Sequence, residues 1–317
     1  MKKLTIFDVA KKSGVGKSTV SRVLNHDQNV KEETREKVLK VINEMNYKPS
    51  ISARGMRSNN SRVIGIITSR LDSSSEAQAV RGMLEIIYSM GYDVVLAESL
   101  FDREKTKEHI EMFMNKKVEG IILFATSGVE YNYLKKIKVP VIMMGQEVKG
   151  FTSIVYDDYG AVEKILKEFQ NMGLKKIGYM GVDLSDRTTG YRRYQAYEKF
   201  VNENNMKNIS AFGDFTYKKA YELTEVLMEH EIDAIVCATD NLVLGVRKYL
   251  LEKHIENIVV SGIGKNELLS FLYKNHITVN LSYKKSGIEA GKMIFKMLSG
   301  VSTDEKIVME SHLVKGE

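Results

Sequence analysis

The chain has 317 residues, 43% apolar and 28% charged, with six histidines and one cysteine. This is a globular composition, long enough for two or three structural units. An internal disulfide is excluded, and no apolar run approaches the roughly 18 residues a membrane helix needs. The net charge of +6 is unevenly placed: residues 1–60 hold 13 Lys and Arg against 6 Asp and Glu, net +7, and the rest nets −1. A small basic module on a neutral body points to a polyanionic partner, against the alternative of a solvated basic surface.

At the start, "MKKLTIFDVAKK" is broken by Asp8 and Lys11-Lys12 before a signal-peptide core could form. With a single cysteine, the expected location is the reducing cytoplasm. In "TIFDVAKKSG", Ile6, Val9 and Ala10 recur at helical spacing, Thr5 can cap the start and Gly14 can end it. Val20, Val23 and Leu24 form a second apolar stripe. A third helix is predicted over Glu32 to Met45, with Val38, Val41, Ile42 and Met45 inward. Two short helices about a tight glycine turn, closed by a third, make a helix-turn-helix over residues 1–46.

The run "GVGKSTVSR" also invites comparison with a phosphate loop. That motif needs a buried strand before it and a glycine where this chain has Lys11, and neither is present. The run therefore opens a recognition helix. Lys17, Ser18 and Arg22 suit base edges in a major groove, while Thr5, Ser21 and Asn25 suit phosphates.

Pro49 marks a boundary, and residues 47–60 follow as a hinge. "SISARGMRSNNS" is short and polar and contains Gly55, so it is either a segment that orders on a partner or a plain linker. From residue 61 to 317, short Val- and Ile-rich runs alternate with helical stretches. "RVIGIIT", "DVVLAE", "GIILFA" and "VPVIMMG" are separated by helices such as Ala77–Met90 and Glu104–Met114. A second series is expected from "FTSIVYDD" through "KKIGYMGV", "DAIVCAT" and "NIVVSGI". The fold class is α/β: a helix-turn-helix headpiece and hinge helix, then two doubly wound parallel-sheet subdomains with a cleft between them.

Ligands of such sheets bind beyond the C-terminal strand ends. That rule selects Arg70, Leu71, Asp72, Ser73 and Glu76, then Ala125, then Gln146. In the second half it selects Asp186, Arg187, Thr188, Thr189 and Arg193, then Asp240 and Asn241, and finally Tyr283. Carboxylates, amides, hydroxyls and an aromatic describe a sugar site, and the arginines suggest an anionic group on it. Asp157-Asp158 reads as a helix cap at a chain crossover. Asp240 fits a cap and a ligand equally, and Cys237 reads as a core residue. The histidines show no metal spacing, and no cofactor is expected. No nucleophile motif is visible, so an enzyme is not expected.

"LTIFDVAKKSGVGKSTVSRVLN" followed by "VKEETREKVLKVINEMNYKPSISARGMRS" resembles the headpiece of the lactose-repressor family without a gap. The body resembles the branch of that family that senses trehalose 6-phosphate. The stretches that carry it are "TSRLDSSSE", "KGFTSIVYDDYGA", "TTGYRRYQAY" and "CATDNLVLGVRKYL". The resemblance implies a periplasmic-binding-protein-like body and a homodimer on a palindromic operator. It implies base reading by residues 17, 18 and 22, and a hinge whose Ala53 and Met56 meet the minor groove, Met56 as a wedge. It also implies a repressor of sugar-utilisation genes, released by trehalose 6-phosphate. A different disaccharide or sugar phosphate is the alternative, and a sugar-binding protein or a sugar-phosphate enzyme a more distant one. One departure stands out: an arginine is expected at position 146 to hold the phosphate, and this chain has Gln146, with Arg187 as the compensating candidate.

Overall fold

The computed structural model describes residues 4–24, 27, 29–45, 47 and 61–316. Two compact units separate at Ser61 and Arg62. The first holds α1 (Ile6–Ser13), α2 (Lys17–Leu24) and α3 (Glu32–Glu44). Thr5 and Asp8 close a reciprocal capping box at the start of α1. Gly14 ends it at φ +66, a left-handed conformation that costs a residue with a Cβ. A helix, not a strand, thus precedes the Gly-Lys-Ser run. Val9, Val20, Val23 and Val38 are fully or nearly fully buried and form the small core, with Leu24, Ile42 and Met45 at its edge.

The second unit contains two six-stranded sheets. The first has the order β11-β5-β4-β3-β1-β2. Its strands are β1 (Val63–Thr68), β2 (Asp93–Glu98), β3 (Gly120–Phe124), β4 (Val141–Gly145), β5 (Thr152–Tyr156) and β11 (Lys306–Met309). All its pairings are parallel. The second sheet has the order β12-β10-β9-β8-β6-β7. It holds β6 (Ile177–Val182), β7 (Ile209–Gly213), β8 (Ala234–Cys237), β9 (Val259–Ile263), β10 (Ile277–Asn280) and β12 (His312–Lys315). Here β12 alone runs antiparallel, against β10.

One expected boundary moves. "FTSIVYDD" is not the start of the second series, because its strand β5 pairs with β4 and closes the first sheet. The chain then crosses at Asp157, and α6 (Asp158–Asn171) packs Ala161, Ile165 and Phe169 into the second core. It returns after β10 on α11 (Tyr283–Leu298). Tyr283 belongs to the second core, while Ala290, Met293 and Ile294 belong to the first. A third crossing joins β11 to β12. The first and third crossings are tied together: Ser311 Oγ donates to Asp157 at 2.6 Å, and Lys164 Nζ reaches Ser311 Oγ at 2.7 Å. Helix α11 lies close on α4 (Ser74–Ser89). A Cβ at Gly287 would sit 1.8 Å from the Ala79 carbonyl, and one at Gly82 would sit 2.1 Å from that of Lys284. The seam has no room for a side chain at either glycine.

Candidate functional site

In the first unit, α2 buries Val20 and Val23 and turns Ser18 and Arg22 outward, with Lys17 and Ser21 partly exposed. Lys17 Nζ lies 4.1 Å above the ring of Phe7, which is 61% exposed. Arg22 stands 3.9 Å from Asp27 across solvent. These cations are held loosely and remain available to an anion. The Thr5 hydroxyl is engaged, donating to Asp8 at 2.7 Å, so any bond to a phosphate would replace that contact. Asn25, Ala53 and Met56 lie outside the described residues.

In the second unit, a cleft lies between the subdomains. Each of β1 to β10 contributes a residue at or beyond its C-terminal end, so both sheets aim their strand ends at one cavity. Arg70, Ser73, Glu76, Ala125, Asp186, Thr188, Thr189, Arg193, Asp240, Asn241 and Tyr283 all line it.

Arg193 is 3% exposed at the back of the cavity. Its Nε and Nη2 donate to Asp158 Oδ1 at 2.8 and 2.6 Å, Nη1 donates to the Ala238 carbonyl, and Nη2 also reaches the Tyr283 hydroxyl at 3.3 Å. Burial works against an isolated charge here, and the Asp158 carboxylate and the Tyr283 oxygen together outweigh it, so Arg193 stays protonated above its ordinary value. Asp240 accepts from the Asn266 N–H at 2.6 Å and the Thr278 hydroxyl at 3.2 Å. The cap of α9 (Asp240–Glu252) is Thr239, so Asp240 sits inside the helix and faces the cavity. Asp186 caps a short π-helical turn, Arg187–Arg192, accepting from the Thr188 N–H at 3.0 Å and the Gly190 N–H at 3.2 Å. Such turns recur at functional sites.

Glu76 occupies the first turn of α4 and accepts from the Ser69 N–H at 2.7 Å. Burial nevertheless pushes its carboxyl up to about 7, and its backbone donors and Arg70 only partly counter this. Arg70 stacks its guanidinium 4.7 Å over Phe215. Its Nε is buried without a hydrogen-bond partner, with Asp72 Oδ1 3.6 Å away. Phe101 from the first subdomain and Phe215 from the second stack at 5.5 Å and 17°.

Four selected residues are placed elsewhere. Leu71 is exposed, and its N–H is taken by Glu98 at 2.7 Å. Asp72 faces solvent beside Arg70. Gln146 turns its amide oxygen to Ser127 at 3.0 Å. Arg187 lies over Tyr191 at 5.1 Å. None of the four is among the residues lining the cavity. Conversely, Asp158, Tyr156, Phe101 and Phe215 line it and were not selected. The strand-end rule could have found Phe101, which lies three residues beyond "DVVLAE". Phe215 follows β7, a strand whose "ISAFG" lacks the Val- and Ile-rich run that marked the others. Asp158 reads locally as a cap, and only the tertiary fold brings it to Arg193.

Among the described residues no cluster of His, Cys, Asp or Glu suits a metal ion, and no helix is long and apolar enough to cross a membrane. The family model for bacterial regulatory proteins of the lacI family matches residues 5–50. That for periplasmic binding proteins and the sugar-binding domain of the LacI family matches residues 61–310. The chain is 38% identical to the HTH-type transcriptional regulator TreR of Salmonella typhimurium, over 98% of this chain and 99% of that one. It is 37% identical to TreR of Escherichia coli K12 over the same shares. Its fold matches the trehalose repressor from Escherichia coli with a TM-score of 0.77 at 32% identity, over 80% of this chain and 99% of that one. It matches the lac repressor dimer bound to operator with a TM-score of 0.87 at 23% identity, over 99% and 98%.

Proposed function

We propose, for a chain that belongs to the lacI family of bacterial regulatory proteins and is a DNA-binding transcriptional repressor rather than an enzyme, that its effector is trehalose 6-phosphate. The observation that carries the reading is the cavity itself. It offers carboxylates and hydroxyls from both subdomains to sugar hydroxyls, aromatic side chains, and the cation of Arg70, which is stacked on Phe215 and paired only with the exposed Asp72 at 3.6 Å. Arg193, by contrast, has its charge paired with the buried Asp158 and further donors on Ala238 and Tyr283, so it shapes the back wall and orders hydroxyl acceptors. Arg70 is therefore the phosphate-holding group, and Gln146 and Arg187 are not required for it. A neutral disaccharide such as trehalose is the second reading. The lining favours it in one respect: Glu76, Asp158, Asp186 and Asp240 outnumber Arg70 and Arg193.

The protein acts in the cytoplasm as a homodimer, with α2 of each headpiece in one half of a palindromic operator. Lys17, Ser18 and Arg22 read base edges, Ser21 and Asn25 fix the register on phosphates, and Ala53 and Met56 of the hinge meet the minor groove at the centre. The first subdomain leaves Tyr88, Met90 and Leu96 exposed. In the second, Leu251 on α9 and Leu268, Phe271 and Leu272 on α10 (Glu267–Leu272) are exposed, and such faces suit a second copy. Effector in the cleft shifts the subdomains about the three crossings and lowers operator affinity.

The test is binding of the full-length protein to a palindromic site upstream of its own gene, titrated with trehalose 6-phosphate and separately with trehalose. Release by the ester at lower concentration supports the reading. Release by trehalose alone favours the second reading, and no specific DNA binding rejects both.

A further inference from the structure

The turn that caps the second-subdomain wall of the cavity is held from the other side of the cleft. The first N–H groups of a helical turn have no partner within the turn. Asp186 satisfies those of Thr188 and Gly190, but the Arg187 N–H donates instead to the hydroxyl of Ser127, at 2.9 Å. Ser127 lies three residues past β3 in the first subdomain, and it donates its own proton to Gln146 Oε1 at 3.0 Å. Neither Ser127 nor Gln146 lines the cavity, whereas Asp186, Thr188 and Thr189, which flank Arg187, all do.

We propose that Ser127 and Gln146 are positioning residues for effector binding, joined to the backbone of Arg187 in a clasp that locks the ligand wall of the second subdomain against the first. This rests on the reading that the cavity holds a sugar effector. Gln146 gives the clasp its direction. By taking the Ser127 proton it leaves the hydroxyl's lone pairs to face the Arg187 N–H, the only polarity in which a hydroxyl can bridge an amide oxygen and a backbone donor. On the opposite flank Gln78 Nε2 donates to the Gly264 carbonyl at 3.1 Å, again between the two subdomains. Phe101 and Phe215 stack across the cleft as well. Of these bridges, the one at Ser127 ends on the turn that meets the ligand. An inter-subdomain bond must open for the ligand to leave and equally for it to enter, so its contribution falls on both rates.

The experiment compares the full-length wild type with Ser127→Ala, Ser127→Thr and Gln146→Ala, using trehalose 6-phosphate and trehalose as probes. Stopped-flow displacement gives koff, and hydrogen exchange of the segment around Arg187 is followed without ligand. Ser127→Ala is expected to raise koff about 2- to 12-fold, the range one net hydrogen bond supplies, with kon raised in the same direction. Gln146→Ala should act in the same direction, and Ser127→Thr, which keeps the hydroxyl, should restore wild-type koff. In the ligand-free protein the Arg187 amide should exchange faster in Ser127→Ala. The clasp is overturned if the wild type binds a probe and Ser127→Ala leaves koff unchanged. A rise in koff that Ser127→Thr does not restore, and that follows a fall in Tm, also overturns it. If the wild type binds neither probe, the trehalose reading fails, and unchanged exchange at Arg187 would overturn the clasp as well.

Discussion

Replacing Asp158 by Asn separates the roles this residue plays in the fold and in the site. Asp158 and Arg193 are each 3% exposed, and one carboxylate oxygen receives two guanidinium N–H groups at 2.6 and 2.8 Å. The asparagine keeps the shape and an amide oxygen that can accept both N–H groups but removes the charge, leaving Arg193 buried among neutral acceptors only: that oxygen, the Ala238 carbonyl and the Tyr283 hydroxyl. Breaking a buried pair from one side costs about 3–5 kcal/mol, and the surviving neutral acceptors place this case near 3. Against a total stability of about 5–15 kcal/mol the protein stays folded, with a urea midpoint lower by about 1 M or more. The double variant Asp158→Leu/Arg193→Met removes both charges and should recover most of the loss, while effector binding is abolished in both. The assay is urea unfolding of the three proteins beside an effector titration. A single variant within about 0.5 kcal/mol of wild type, the range of an ordinary surface change, would refute the account of the buried pair.

Glu76 should make stability depend on pH with an unusual sign. Its carboxyl is raised in the folded state, so the fold binds the proton more tightly than the unfolded chain. That contribution is complete below about 4.5 and is lost as pH rises through about 7. Glu76→Gln should therefore match wild type near the acid end and exceed it at pH 8, by at most about 3 kcal/mol; thermal melts across this range check it. Arg70→Ala should weaken trehalose 6-phosphate binding by about 1.5–3 kcal/mol and trehalose binding by less, whereas Arg187→Ala, over Tyr191 and outside the cavity, should change neither; calorimetric titration decides. Arg22→Ala should cost about 1–3 kcal/mol on the specific operator and relax preference at one base position, as competition with altered operators would show. Phe271→Glu, at a side chain 83% exposed on α10, should weaken self-association in sedimentation while leaving the effector Kd near that of wild type.

Local pattern carried much of the architecture because its causes are local. Thr5, Gly14 and the spacing of Val20 and Val23 specify helices by capping, backbone freedom and periodicity. The Val- and Ile-rich runs specify strands buried on both faces. Strand ends then located most of the cavity, since a parallel sheet directs its C-terminal ends to one side. What the sequence concealed is what depends on partners distant in the chain. "FTSIVYDD" carries the same strand signal in either sheet, and pairing with β4 alone assigns it to the first. Asp158 is 35 residues from Arg193, and nothing near it in the chain announces a buried cation. Gln146 follows a strand end as the rule requires, yet a hydrogen bond to Ser127 takes it away from the cavity. A strand end fixes where a residue starts; the competition among hydrogen-bond partners fixes where its side chain goes.

The proposed function joins a sugar in the cleft to an operator at the headpiece. Coupling of this kind is reciprocal: whatever factor the effector imposes on operator affinity, the operator must impose on effector affinity. The decisive quantity is the Kd of trehalose 6-phosphate for the full-length protein, alone and with saturating operator, beside the operator Kd with and without saturating effector. Operator should weaken effector binding by the same factor by which effector weakens operator binding. An effector Kd unchanged by operator, in a protein that binds both, would contradict it.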